Sequence, residues 1–145
     1  MKRYMINGTE KCAKARVEGV NASYKQLSAV CENVRGMETD NALIFLKQAS
    51  IGKQVIRFRR HNTRMAHRKE LGGSKGRWPK KASKIVFEVL KNAKANADMK
   101  GLFNHYISHI AANKQKIYPR MAPRGRSMMA NYETSFVEII LEEKV

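Results

Sequence analysis

The period of apolar and polar positions changes several times along the chain. The clearest helical stripe is Ala82, Ile85, Val86, Val89, Leu90, Ala93 and Ala97, which recur at i, i+3, i+4, i+7 and onward, with Lys84, Lys91 and Lys94 off it. Trp78-Pro79 opens this element, since proline fits a first helical turn, and Gly101 closes it. Two more helices are expected upstream. Ser23, with Gln26 three residues on, reads as a capping box ahead of Tyr24, Leu27, Val30, Cys31 and Val34, and Gly36 ends that run. The second begins at Thr39 or Asp40, carries Ala42, Leu43, Phe45, Leu46 and Ala49, and stops at Gly52.

Period-two sequence follows. Residues 106–112 and 135–141 are rich in β-branched and aromatic side chains and are expected to pair antiparallel, with Val137, Ile139 and Leu141 on one face. Residues 13–17 alternate like a third strand beside the hairpin's base. Pro119 and Pro123 cannot donate to a ladder, and Ala122-Pro123-Arg124-Gly125 suits a type I turn, which sets the tip at 118–127. Arms of about a dozen residues would reach about 40 Å, longer than a small core covers. The fold class expected is α+β: three helices packed on a small three-stranded antiparallel sheet with a long protruding β-hairpin, one domain over 1–145. A basic insert is expected at 53–78 and the hairpin at 105–143. Helices one and three are expected to cover one face of the sheet.

Charge gives this architecture a partner class. Lys and Arg number 29 against 12 acids, a formal charge of +17, and such self-repulsion is relieved when a polyanion neutralises it. Thirteen basic residues between positions 47 and 84 face the single acid Glu70, and between 99 and 132 six face none. A two-stranded ribbon alone in water is marginal. The distal hairpin is therefore expected to be ordered by its partner, with nucleic acid leading and an anionic membrane surface second. Phe58 and Trp78 lie among the insert's cations, as aromatics do where bases or sugars are contacted, so the insert reads as an extended segment ordered by nucleic acid rather than a solvated loop.

Other chemistries find little support. Cys12 and Cys31 lack CxxC spacing and are expected to be free buried thiols. No apolar run approaches the roughly eighteen residues of a membrane helix, and a soluble, intracellular chain is expected. His105 and His109, four apart on a strand, would lie roughly 13 Å from each other, too far to share one metal ion. Gly72 to Gly76 lacks the spacing of a phosphate loop, and no Ser/His/Asp or Cys/His set stands out. No enzyme activity, cofactor or metal is expected.

Certain strings go further. Gly76-Arg77-Trp78-Pro79-Lys80-Lys81, Phe58-Arg59-Arg60-His61-Asn62, and Leu90-Lys91-Asn92-Ala93 with Asn96-Ala97 and Gly101-Leu102 resemble the universal large-subunit ribosomal protein L-twenty-two family in its archaeal and eukaryotic form, L-seventeen in older eukaryotic numbering. The likeness covers nearly the whole chain. It implies a structural constituent of the large subunit that binds its rRNA and lines the nascent-polypeptide exit tunnel with the hairpin, in the cytoplasmic ribosome. Implied partners are large-subunit rRNA, neighbouring ribosomal proteins and the nascent chain, with no membrane insertion and no homo-oligomer. The resemblance and the charge assign RNA binding to Arg57, Arg59, Arg60, Arg64, Arg68, Lys75, Arg77, Trp78, Lys80 and Lys81 in the insert and its exit, and to Lys114, Lys116, Arg120, Arg124 and Arg126 on the hairpin. Tyr118, Pro119, Arg120, Met121, Ala122, Pro123, Arg124 and Gly125 would form the tunnel-lining tip. The tip is poorer in arginine than the family's usual one, and residues 63–71 match the family weakly. Charge alone would also suit a free-standing RNA-binding or RNA-chaperone module.

Overall fold

The computed structural model describes Tyr4 and residues 11–143. In chain order the elements are β1 (Cys12–Val20), α1 (Tyr24–Val34), α2 (Thr39–Ile51), β2 (Ile56–Arg57), β3 (Gly76–Arg77), α3 (Lys80–Met99), β4 (His105–Met121) and β5 (Ser127–Glu143). The fold is α+β, as the two hydrophobic periods require. β1, β5 and β4 form an antiparallel sheet in that order, and β2 with β3 forms a second, two-stranded one.

β5 is central, and its expected apolar face is the floor of the core. Val137, Ile139 and Leu141 are fully buried with Ile107 and Ile110 of β4 and Ala13 and Ala15 of β1. The stripes of α1 (Leu27, Val30, Val34) and α3 (Val86, Leu90, Ala93) close over them. α2 packs chiefly on α3 through Ala42, Leu46 and Ala49 rather than on the sheet. Each fully buried Leu or Ile is worth about 2 kcal/mol relative to exposure, so the sheet's base is firmly held. Beyond Ala112 on β4 no side chain is buried.

Local details depart from expectation. Ser23 is the N-cap of α1, yet its side chain makes no capping bond; the residues bond through its backbone, with the amides of Gln26 and Leu27 each donating to the Ser23 carbonyl at 3.0 Å. Thr39 opens α2, as expected, and also donates its hydroxyl to the buried His105 carbonyl at 2.9 Å, which ties α2 to β4. Gly52 stops α2 in the left-handed conformation, φ 97°, as expected.

The hairpin strands run further than their alternation predicts. Each has seventeen residues, about 55 Å at the usual rise. Pro119 sits inside β4, and the register slips there: Tyr118 pairs with Tyr132 and Arg120 with Met128, so β5 absorbs the missing donor as an irregularity. The turn proper is Pro123–Gly125, and Gly125 donates to the Ala122 carbonyl at 3.2 Å. It is not the type I turn expected. Arg124 has φ 67°, ψ 23°, and positive φ at the third position is the signature of type II. A further slip between Ile107 and His109 inserts one extra residue into β4 and flips its faces. His105 and Ile107 therefore face the core with Ile110 and Ala112, whereas His109 faces Glu138 on the opposite side. The two histidines are separated by the sheet itself.

Candidate nucleic-acid interface

The basic insert is folded, contrary to its reading as an extended segment. Ile56 pairs with Arg77 and Arg57 with Gly76; a bridge joins His67 to Lys75, and a short 3-10 turn covers Lys69–Leu71. Phe58, expected to meet bases, is instead 3% exposed and part of the core. Its backbone N–H donates to the Lys75 carbonyl at 3.0 Å. The lobe is docked on α1 by Asn33, which donates from Nδ2 to the Arg57 carbonyl at 2.8 Å and accepts from the Arg57 N–H at 3.3 Å. One amide thus completes the free edge of β2, a role no local pattern announced.

The string Gly76-Arg77-Trp78-Pro79 has a packing explanation. Gly76 has no positive φ, but a Cβ there would lie 2.9 Å from the Ile56 carbonyl and 2.9 Å from Val55 Cγ1. Glycine is required by closeness. The half-buried Trp78 lies under the Arg68 guanidinium, 4.5 Å from its ring centroid, and Arg68 Nε donates to the Gly76 carbonyl at 3.2 Å. Pro79 is buried and precedes α3 as its N-cap.

With the lobe closed, its cations divide by task. Arg57, Arg59, Arg64, Arg77, Lys80 and Lys81 are exposed with no carboxylate among their described partners, so each is free to meet a phosphate. Arg60, 80% exposed, is 3.4 Å from Glu32 on α1 and still presents most of its guanidinium to solvent. Arg68 and Trp78 are engaged with each other, and Lys75 is half-buried in the lobe's ladder. On the hairpin Arg120, Arg124 and Arg126 are exposed around the turn, and Lys116 lies over the Tyr118 ring at 5.0 Å. Lys114 differs. Its ammonium is 2.7 Å from Glu133 and 4.9 Å from the Tyr24 ring centroid, and the bond to Glu133 raises its pKa. It fastens the hairpin's shaft to α1 rather than presenting an uncompensated charge.

The structure also gathers residues the sequence left apart. Two clefts meet at Ser23 and Gln26. One, about 380 Å3, lies between α1 and the hairpin and brings Lys81, Arg120 and Tyr132 together; the other, about 280 Å3, lies between α1 and the insert lobe, against Phe58, His61 and Arg77. Hairpin, helix and lobe thus approach one another around Ser23 and Gln26, with cations, amides, aromatic rings and the Glu133 carboxylate in the two linings. Lys25, Gln26 and His61 there were missed because Ser23 and Gln26 were read as a local cap. Among the described residues there is no cluster of three or more His, Cys, Asp or Glu able to hold a metal, and no helix is long and apolar enough to cross a membrane.

A small α+β body bearing a cationic lobe and a thin basic ribbon has the charge distribution expected of the nucleic-acid-binding class. The Ribosomal protein L22p/L17e family matches residues 15–142, and the chain belongs to that family. Curated relatives agree in name. Large ribosomal subunit protein uL22 of Methanopyrus kandleri is 37% identical over 141 residues, covering 93% of this chain and 89% of the relative. The protein of that name from Sulfurisphaera tokodaii is 41% identical over 141 residues (92% and 90%), and the one from Methanocaldococcus jannaschii is 38% identical over 139 (92% and 89%).

Proposed function

We propose that this chain is a structural constituent of the large ribosomal subunit in the cytoplasm, bound to its rRNA through the insert lobe and hairpin. The hairpin runs through RNA with its tip on the wall of the nascent-polypeptide exit tunnel. The observation that carries this reading is the hairpin's own construction. Its backbone is paired out to Met121 and Ser127, yet its side chains are exposed on both faces from Lys114 to Asn131, apart from the half-buried Ala122. A ribbon this thin holds no core of its own, and its cations match the phosphates of an enclosing RNA. Arg59, Arg60, Arg77, Lys80 and Lys81 anchor the body, and residues 118–125 face the tunnel. The role is that of a ligand for RNA, not a catalyst.

The test is sedimentation of the tagged full-length chain. It travels with large subunits and stays with them through moderate salt; recovery only in ribosome-free fractions would reject the reading in favour of a free-standing basic RNA-binding module. Charge reversal at Arg59 and Arg60 lowers incorporation more than trimming residues 118–127, because anchorage precedes threading. Equal incorporation of the two variants would count against that order.

A further inference from the structure

We infer that the cleft between α1 and the insert lobe is a pocket for one unpaired nucleobase of an RNA strand, a step that rests on the RNA-bound reading above and names a specific contact within it. Three kinds of group converge there. Phe58 backs the cleft from inside the core, offering almost no face of its own, and Met65 is half-buried beside it. His61 supplies an exposed ring, held edge-on to Tyr24 with centroids 5.6 Å apart and planes at 78°. A base entering the cleft meets the exposed His61 ring, an aromatic platform of the kind on which single-stranded bases stack, within an otherwise largely polar lining.

Gln26 supplies the polar edge. Its side chain is half-buried at the cleft wall and makes no hydrogen bond among the described residues, since the capping box that would have engaged it is not formed. A carboxamide offers one donor and one acceptor side by side, the pattern a base edge presents in return. Lys25 and Arg77 are exposed at the rim, where the sugar-phosphate of an inserted nucleotide would pass. No carboxylate lines the cleft, which disfavours a basic peptide as occupant.

The rim is also built with strain. His61 and Arg64 both have positive φ, 51° and 57°, uncommon for residues with side chains. Asn62 braces the turn between them by donating to the Arg59 carbonyl at 3.2 Å and the Phe58 carbonyl at 3.4 Å. Strain held in place by its surroundings is common at ligand clamps. The volume, about 280 Å3, falls just below the usual range of small-molecule sites. It admits one ring system and excludes a double helix, and RNA delivers such rings from loops and bulges.

The experiment is chemical probing of base reactivity in purified large subunits carrying wild-type chain, His61→Ala or Gln26→Glu. One unpaired nucleotide is protected in the wild type, and its reactivity rises roughly tenfold in each variant, while protections along the hairpin are unchanged. Identical reactivity in all three would overturn the pocket and leave the RNA-bound reading standing. Exclusion of the wild-type chain from subunits would overturn both. Ultraviolet crosslinking of wild-type subunits gives a readout free of any folding defect: a single nucleotide adduct is expected on the peptide spanning 58–65, and adducts confined to the hairpin would sink the proposal. Excess mononucleotide leaves the protection intact; displacement by it would mark a small-molecule site instead.

Discussion

The guanidinium of Arg68 lies 4.5 Å from the centre of the Trp78 ring while its Nε donates to the Gly76 carbonyl at 3.2 Å, so one side chain clamps the insert lobe at both ends of its closing strand. Removing it in Arg68→Ala forfeits a partly buried cation–π contact and a charge-assisted hydrogen bond, a loss of about 1.5 kcal/mol. Trp78 is the only tryptophan in the chain, so its fluorescence during urea unfolding reports the change directly. Arg68→Lys is expected to recover little, because an ammonium has no planar face to lay on the ring. Wild-type stability in the lysine variant would show that charge alone suffices.

Gly76→Ala tests whether closeness, not flexibility, selects glycine. The new methyl would press on the Ile56 carbonyl and Val55, and the lobe must shift at a cost of about 1–3 kcal/mol. Gly72→Ala is the control. Nothing lies within 4 Å of its Cβ position, so only the left-handed φ of 60° is penalised, by about 1 kcal/mol. Equal thermal shifts for the two would refute the packing account.

Glu138 is fully buried on the central strand, 3.3 Å from Arg16 Nη1 and 3.5 Å from His109 Nε2. Glu138→Ala withdraws the carboxylate from the Arg16 guanidinium and the His109 ring inside the sheet and is expected to cost about 3 kcal/mol by calorimetry. A variant within experimental error of wild type would mean that water reaches the site and screens it.

Hydrogen exchange separates the two halves of the hairpin. Amides of Ile107, Ile110, Val137 and Ile139, whose side chains are buried in the core, are protected in the isolated chain, whereas those of 114–131 exchange orders of magnitude faster, for want of buried contacts. Inside the subunit both halves are protected. Slow exchange of 114–131 without RNA would remove the basis for an enclosing partner.

Cys31 titrates late. Burial pushes its thiol from 9.0 up to about 12, an effect larger than the opposing pull of Arg35. The folded state therefore keeps a proton that the unfolded chain releases, and stability present below pH 9 is lost as pH rises toward 12. At pH 8 a thiol reagent is expected to label Cys31 only through unfolding, so its rate follows urea concentration. Rapid labelling of the native chain would contradict the burial.

What residue order determined by itself was periodicity and charge. The α3 stripe, the Val137-Ile139-Leu141 face and the strand over 13–17 were legible because a repeat of 3.6 or 2 fixes which side chains share a surface whatever lies opposite. The uneven distribution of 29 basic residues pointed to a polyanionic partner for the same reason: charge adds up without reference to contacts. The tertiary structure decided everything that depends on which distant segments meet. The bulge that parts His105 from His109, Asn33 completing β2, Lys114 spent on Glu133, and Gln26 left uncapped beside His61 all follow from approaches between remote stretches of chain. Local sequence is silent there, because a hydrogen bond or a stacked ring is fixed by geometry a few ångströms wide, and only the packed core sets that geometry.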